Sequence, residues 1–215
     1  MLDAVPYWTL RRDAMRSRSA VFPKKVLKSH ANGDGMADEI SGSAPERDPA
    51  AQKKFDAAMR AMDGGDFKKA FSAFKKYTDE FPNDAEGWYC RAECGNYASG
   101  MFGAKVKDEE IMDAYNKAIE LDGDRADYYQ SYGLFCISIS KYDEAEKAYN
   151  EAAQIDESLS ASLYSEFAIE YYNNIMGNHG DILEDPKARA PYAKKALEYM
   201  LKALDMSPEE AKSLL

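Results

Sequence analysis

The chain has 215 residues, with 28 basic and 38 acidic side chains, a formal net charge of −10 at pH 7, two histidines and three cysteines. This length is enough for one medium domain or two small ones with a real hydrophobic core. No run of about 18 apolar residues occurs, so the sequence predicts no membrane-spanning helix. The negative charge argues against broad binding to nucleic acid, which depends on Lys and Arg meeting phosphates.

The first fifty residues differ from the rest in charge and composition. Residues 1–35 carry seven basic and three acidic side chains, a net charge of +4, whereas residues 36–215 carry −14. Residues 31–49 contain three glycines and two prolines among Ser, Asp and Ala, without an apolar period. Such a composition is typical of a linker. We therefore expect residues 1–50 to form an irregular basic leader followed by a flexible linker.

The basic leader has two interpretations. Its Arg-rich, Ser-containing composition is that of some targeting segments, although it has no secretory apolar core. Alternatively, translation begins at Met36, because the four residues before it can be encoded by a purine-rich string resembling a ribosome-binding site. The intact mass of the native protein distinguishes these interpretations, since a species beginning at Met1 contradicts the internal start. We assign the leader no function.

A repeated pattern appears beyond the linker. Residues 65–70 (GDFKKA) and 140–145 (SKYDEA) each have a turn residue, an aromatic residue, two charged residues and an alanine, and another aromatic residue follows four positions later. The same frame fits near Ala196 and, more loosely, near Ile111. On a helix, residues four apart share a face, so the alanine allows close approach of a neighbouring helix and the aromatic residue fills the remaining space.

Each of these helices is preceded by another with its own apolar stripe. The clearest stripe has spacings of three, four and seven residues and consists of Tyr129, Tyr132, Gly133 and Cys136. Each unit is therefore predicted to be an antiparallel pair of helices of about 34 residues. In this respect the chain resembles tetratricopeptide repeat (TPR) proteins over roughly residues 51–208. The predicted units cover 51–84, 85–125, 126–159 and 160–208, with insertions near 98–107 and 174–190 and a short C-terminal cap to residue 215.

The resemblance implies an all-α fold, a right-handed solenoid of about four antiparallel helix pairs. The first helices of stacked repeats form a concave groove, which TPR families use to hold an extended peptide or a partner helix. The predicted groove residues are aromatic, Met-rich and acidic, which suits an apolar anchor with basic flanks. An alternative is that several of them pack against neighbouring helices. They are Phe55, Met59, Met62, Tyr89, Glu93, Tyr97, Gln130, Leu134, Ile169 and Tyr172.

One partner class is disfavoured by the sequence. Some TPR proteins clamp the C-terminal carboxylate of chaperones with Lys, Asn and Arg on the groove face. The matching positions here carry no basic residue: they are Phe55, Met59, Cys90, Asp127 and Ser131. The pattern also departs from the family at Arg91, where an apolar residue is usual.

No group of residues in the sequence indicates catalysis. Cys90 and Cys94 lie one helical turn apart and Cys136 lies in the next unit, and without a nearby His they form neither a zinc site nor a nucleophile with its base. Buried thiols in a reducing compartment are the simpler interpretation. His179 lies in a loop-like stretch and is expected to be solvated. We therefore predict that the chain is not an enzyme and has no catalytic residue, no metal site and no cofactor.

The sequence thus predicts a cytoplasmic, non-enzymatic protein–protein interaction module, acting as an adaptor, an assembly factor, a scaffold or a subunit of a larger complex. Its partner is expected to be a protein or peptide, apolar with basic flanks, and not nucleic acid or membrane. The alternative is a self-associating structural subunit, because residues 209–215 form at most a short cap with Leu214 and Leu215 exposed. An uncapped repeat end can stack on a second copy.

Overall fold

The computed structural model describes residues 47–178 and 184–213. The leader, the choice between Met1 and Met36 as the first residue, His179 and the C-terminal Leu214 and Leu215 lie outside these residues. Within the described ranges the regular structure is entirely helical, with one 3-10 turn at Glu157–Leu159. The α-helices are α1 (Pro49–Asp63), α2 (Phe67–Glu80), α3 (Ala85–Phe102), α4 (Asp108–Leu121), α5 (Ala126–Ser138), α6 (Tyr142–Ile155), α7 (Ser160–Asn178), α8 (Pro186–Ala203) and α9 (Pro208–Ser213).

The chain divides into two portions, and the boundary between Lys54 and Phe55 lies within α1. In the described part of the first portion, the Asp48 carboxylate accepts hydrogen bonds from the backbone N–H groups of Ala50 and Ala51, both at 2.8 Å. An aspartate in this position satisfies N–H groups that have no partner inside the helix. The predicted boundary at residue 50 and the predicted repeat-unit boundaries stay predictions.

Aspartates also fix the beginnings of three helices in the second portion. Asp66 accepts from the backbone N–H of Lys69 at 3.1 Å to begin α2, and Asp84 accepts from that of Gly87 at 3.0 Å to begin α3. Asp185 does the same for α8, which has Pro in its first turn. These are the capping residues that a sequence uses to begin a helix at a defined place.

The helices pack in the order of the chain. Helices α3 and α4, α5 and α6, and α7 and α8 form pairs, and α2 with α3 and α6 with α7 connect one pair to the next. The first helices α3, α5 and α7 also contact one another in sequence. The predicted all-α fold of neighbouring helix pairs is therefore confirmed for the described residues.

The small-and-large pattern of the repeats accounts for the core between α5 and α6. Ala145, Tyr149 and Ala152 are completely buried on one face of α6. Across from them, a Cβ atom on Gly133 would lie only 2.8 Å from a ring carbon of Tyr149. The absence of a side chain at Gly133 therefore lets the aromatic ring lie directly against the backbone of α5.

Arg91, which stands where TPR repeats usually have an apolar residue, forms polar contacts between helices. Its guanidinium donates hydrogen bonds to Thr78 Oγ1 at 3.1 Å and to Glu110 Oε1 at 2.9 Å, and it lies 4.9 Å from the centre of the Trp88 ring. Glu110 also accepts from Lys75 Nζ at 2.7 Å. The hydrogen bond from Lys75 and then that from Arg91 hold the pKa of Glu110 below its usual value.

The two predicted insertions coincide with long first helices. Helix α3 has 18 residues and α7 has 19, whereas α5, which lies between them, has 13. Helix α3 ends at Gly103, whose φ of 60° lies in the left-handed region that favours glycine. The last turn of α7, at Gly177 and Asn178, lies near the end of α5 at Ser138.

Candidate partner-binding cleft

A cleft of about 380 Å³ lies between α3, α5 and α7, the first helices of three successive pairs. Its size is at the lower end of the range of ligand-binding pockets, which is about 300–1,000 Å³. Its lining combines amide side chains, two apolar residues and one carboxylate. The lining residues are Asn96, Leu134, Ile137, Ser138, Glu170, Asn173, Asn174, Gly177 and Asn178.

Helical spacing brings these residues together. Leu134, Ile137 and Ser138 are three and four residues apart at the C-terminal end of α5, so they share one face. On α7, Glu170 is followed by Asn174 four residues later, and the last turn adds Asn178. This last turn of α7 lines the cleft next to the end of α5.

Four asparagine amides give the cleft its hydrogen-bonding capacity. Each amide has a carbonyl acceptor and an NH2 donor, the same complement as a peptide bond. The Asn174 Oδ1 accepts a hydrogen bond from the Tyr142 hydroxyl at 2.8 Å, which leaves its NH2 group for another partner. Among the described residues, no side-chain hydrogen bond involves the amides of Asn96, Asn173 or Asn178. The cleft can therefore donate to and accept from an extended backbone.

The charge of the cleft is negative. None of the lining residues is Lys or Arg, and Glu170 is a carboxylate exposed to solvent. Partial desolvation of the carboxylate, and then the neighbouring Glu166 carboxylate, raise the pKa of Glu170. The C-terminal ends of α5 at Ser138 and of α7 at Asn178 also lie here, and each helix C-terminus carries about half a negative charge.

Glu166, one turn before Glu170 on α7, is held by neutral donors. It accepts hydrogen bonds from Gln130 Nε2 at 2.7 Å and from the Tyr149 hydroxyl at 2.8 Å. These donors fix the position of the carboxylate but do not cancel its charge. The two glutamates therefore reinforce the negative potential on this side of α7.

Four of the ten predicted groove residues are buried in the structure, which corrects their placement on the groove surface. The Phe55 ring lies 5.5 Å from the rings of both Phe74 and Tyr77, and Met62 is 5% exposed. Packing between helices accounts for this, because small residues alternate with large ones along these faces and the large ones fill the space between helices.

The other two buried residues are Tyr89 and Glu93, both on α3. The Tyr89 ring stacks on that of Tyr128 at 4.5 Å, and its hydroxyl shares a hydrogen bond of 2.9 Å with Ser131 Oγ. The Glu93 carboxylate accepts a hydrogen bond from the Tyr115 hydroxyl at 2.5 Å. Both side chains therefore connect α3 to later helices and do not form part of the cleft surface.

The remaining six predicted residues are partly or largely accessible. Leu134 lines the cleft, Gln130 lies one turn earlier on α5, and Ile169, which is 50% exposed, lies beside Glu170 on α7. Tyr97 and Met59 are half-buried: the Tyr97 ring packs 4.9 Å from that of Phe67, and the Met59 sulphur lies 4.0 Å from the Cys90 Sγ. Tyr172 is also half-buried. A role for these residues in partner binding stays a prediction.

Sequence reasoning missed most of the polar lining. Ile137 and Ser138 follow Leu134 by three and four residues, and Asn173 follows Ile169 by four. The same helical spacing that predicted Leu134 and Ile169 could have extended the groove to these residues. Asn96 carried the same signal, because it follows Glu93 by three residues on α3, whereas Asn178 had none, since its place in the cleft depends on how far α7 extends.

The described ranges contain no candidate metal site, and their three cysteines are buried. No group of three or more His, Cys, Asp and Glu side chains there is placed to hold a metal ion. Cys90, Cys94 and Cys136 are buried free thiols, and burial raises the pKa of Cys94 well above its usual value and that of Cys136 to about 11. Along residues 47–178 and 184–213, no helix has the length and apolar character needed to span a bilayer.

The stacked helix pairs of the described residues form a TPR-like fold. A crystal structure of MamA is similar to this chain with a TM-score of 0.54 and 22% sequence identity, covering 77% of this chain and 81% of that one. A second crystal structure of MamA protein (21% identity, 77% and 96% coverage, TM-score 0.37) and a thermophilic TPR protein of Thermus thermophilus (16%, 68% and 99%, 0.29) are also similar. No family model and no curated protein matches the sequence. The likeness to the first of these structures, at 22% identity, shows the fold alone.

Proposed function

We propose that the cleft between α3, α5 and α7 binds an extended segment of a partner protein, so that the chain acts as a non-enzymatic interaction module. The observation that supports this most directly is a cleft lined by four asparagine amides around an apolar floor. The amides match the donors and acceptors of an extended backbone, and the apolar floor matches a side chain that alternates along it.

The apolar part of the cleft supplies the anchor. Leu134 and Ile137 are the apolar residues of its lining, of which Ile137 is only 2% exposed, and Ile169 leaves half of its surface exposed next to Glu170 on α7. An exposed isoleucine beside a polar cleft loses water-exposed apolar surface when a partner covers it, which favours binding. This role is compatible with an adaptor, an assembly factor or a subunit of a larger complex.

The experiment selects peptides from a random library on the full chain and then measures their affinity for two variants. Ile169→Asp replaces the exposed apolar surface beside the cleft by a charged side chain and is expected to weaken the binding of the selected peptides at least tenfold, about 1.4 kcal/mol. Leu197→Asp on α8 is the matched control, because Leu197 is 58% exposed and lies outside the cleft. Equal affinity of the wild type and Ile169→Asp for the selected peptides would contradict the proposal.

Self-association is a second candidate, favoured by α8. Leu197 lies on this helix and Leu204 directly follows its last residue; they are 58% and 61% exposed, and only the six-residue α9 follows in the described chain. If this face meets a second copy, Leu197→Asp should lower the molar mass measured by size exclusion with light scattering, whereas Ile169→Asp should not. A monomeric wild type that binds selected peptides would contradict self-association.

A further inference from the structure

We infer that the cleft takes the charged end of a Lys or Arg side chain carried by the bound segment. This inference rests on the proposed function, and it specifies the chemistry of the segment. Binding of this charged end makes the cleft selective for basic sequences, whereas amides and apolar residues alone would accept any extended chain.

The first support is the charge around the cleft. Three negative sources converge there: the Glu170 carboxylate, the end of α5 at Ser138 and the end of α7 at Asn178. The lining residues include no cation to balance them. A cation entering the cleft therefore gains attraction from all three sources, and their combined field disfavours an acidic side chain.

The second support is the repulsion between the Glu170 carboxylate and the neighbouring Glu166 carboxylate. Glu166 already accepts two hydrogen bonds, from Gln130 and Tyr149, at 2.7 and 2.8 Å. Both donors are neutral, so the repulsion between Glu166 and Glu170 is not relieved by them. A positive group beside Glu170 relieves this repulsion and pairs with the carboxylate that is exposed to solvent.

The third support is the match between the lining and a long basic side chain. Lys and Arg have an aliphatic stem that packs on apolar surface and a charged end that needs several acceptors. Leu134 provides the apolar surface, because Ile137 is only 2% exposed, and the amide oxygens of Asn96 and Asn173 provide acceptors in the same cleft as Glu170. The cleft therefore offers a different surface to each part of the side chain.

The test uses peptides selected on the full chain and synthesised in matched forms, with each Lys or Arg replaced by Gln, and with the N-terminus free or acetylated. The basic forms are expected to bind wild type about three- to fivefold more tightly than the Gln forms, as for a partly exposed ion pair. Acetylation should leave this ratio unchanged. If the Lys or Arg forms and the Gln forms bind equally and acetylation weakens both, the cation is the peptide α-amine and the side-chain inference is overturned.

Glu170→Gln should abolish the preference for basic peptides, and Glu170→Lys should reverse it in favour of peptides with Glu in place of Lys. Glu151→Gln, an exposed glutamate on α6 outside the cleft, is the control with the same change in charge. Circular dichroism checks that each variant retains its helix content. If Ile169→Asp loses the peptides while Glu170→Gln keeps the wild-type preference, the inference is overturned and the proposed function stands. If wild type selects no peptide, both are overturned.

Discussion

Gly133 is the position where the packing of the repeats can be tested most directly. A Cβ atom there would lie 2.8 and 2.9 Å from two ring carbons of Tyr149 and 3.3 Å from the Ala148 Cβ. Carbon atoms in contact prefer about 3.5–4.0 Å, so the ring or the helix must move by about 0.7 Å. Tyr149 resists this movement because it is fully buried and its hydroxyl is bonded to Glu166.

The expected effect of Gly133→Ala follows from two opposing terms. Overpacking a close contact costs about 1–3 kcal/mol, whereas replacing a helical glycine by alanine gains about 0.5–1 kcal/mol. Because Tyr149 is fully buried and hydrogen-bonded, the upper part of the overpacking cost applies, about 2–3 kcal/mol, and the net effect is a loss of about 1–2.5 kcal/mol in the free energy of unfolding. For a domain of this size that lowers Tm by about 2–10 °C.

Urea denaturation followed by circular dichroism measures this loss, with Gly100→Ala as the matched control. Gly100 is also helical, but a Cβ atom there meets nothing within 4 Å. Its substitution should therefore stabilise the protein by about 0.5–1 kcal/mol. The two substitutions are the same chemical change with opposite expected signs. A Gly133→Ala variant as stable as wild type would refute the close packing of α5 against Tyr149.

Three further predictions concern α6 and the buried thiols. Ala145→Arg places a long charged side chain at a fully buried position and should unfold or loosen the helix pairs, seen as a lower Tm; unchanged melting would contradict the repeat frame. Burial raises the pKa of Glu146, but hydrogen bonds from Lys195 and Tyr199 outweigh it, so the net pKa is lowered from 4.5. The stabilisation of the folded protein that comes from this lowered pKa is present above pH 4.5 and is lost as the pH falls through the lower folded-state pKa. Urea titrations should thus show wild type more stable than Glu146→Gln at neutral pH and the difference shrinking in acid. Cys136, whose pKa is raised to about 11, should react with iodoacetamide only after unfolding; rapid alkylation of the native protein would contradict its burial.

The fold could be predicted because its signals are local. The alanine and aromatic residues of α6 are four apart, and the facing helix carries Gly133 at the position that the aromatic ring needs. Each signal depends only on spacing along one helix. The neighbours of a helix in a stacked repeat are the next helices in the chain, so local spacing also fixes the packing partners.

The cleft was harder to predict because it depends on rotation and length. Leu134 lines the cleft, but Glu93 at the corresponding position of α3 is buried and accepts a hydrogen bond from the Tyr115 hydroxyl. Residues one position apart on a helix point about 100° apart, so a small rotation of α3 exchanges core and surface. The asparagine at the end of α7 could not be assigned, because the sequence does not show how far that helix continues.

The charge of the chain leads to a last prediction about salt. Residues 36–215 carry −14, yet α8 holds five basic residues and one acidic residue. Two of these cations contact other side chains: Lys195 pairs with Glu146 of α6 at 2.6 Å, and Lys202 lies 4.1 Å from the centre of the Tyr199 ring. None of them lines the cleft.

Salt screens repulsion among the uncompensated carboxylates and equally screens their attraction for a basic peptide. Raising the ionic strength should therefore increase the free energy of unfolding while it weakens the binding of basic peptides to the cleft. Denaturant titrations and peptide affinities measured over one salt series report both quantities. If peptide affinity does not change with salt, the negative charge of the cleft does not contribute to recognition, and selectivity rests on its amides and apolar floor.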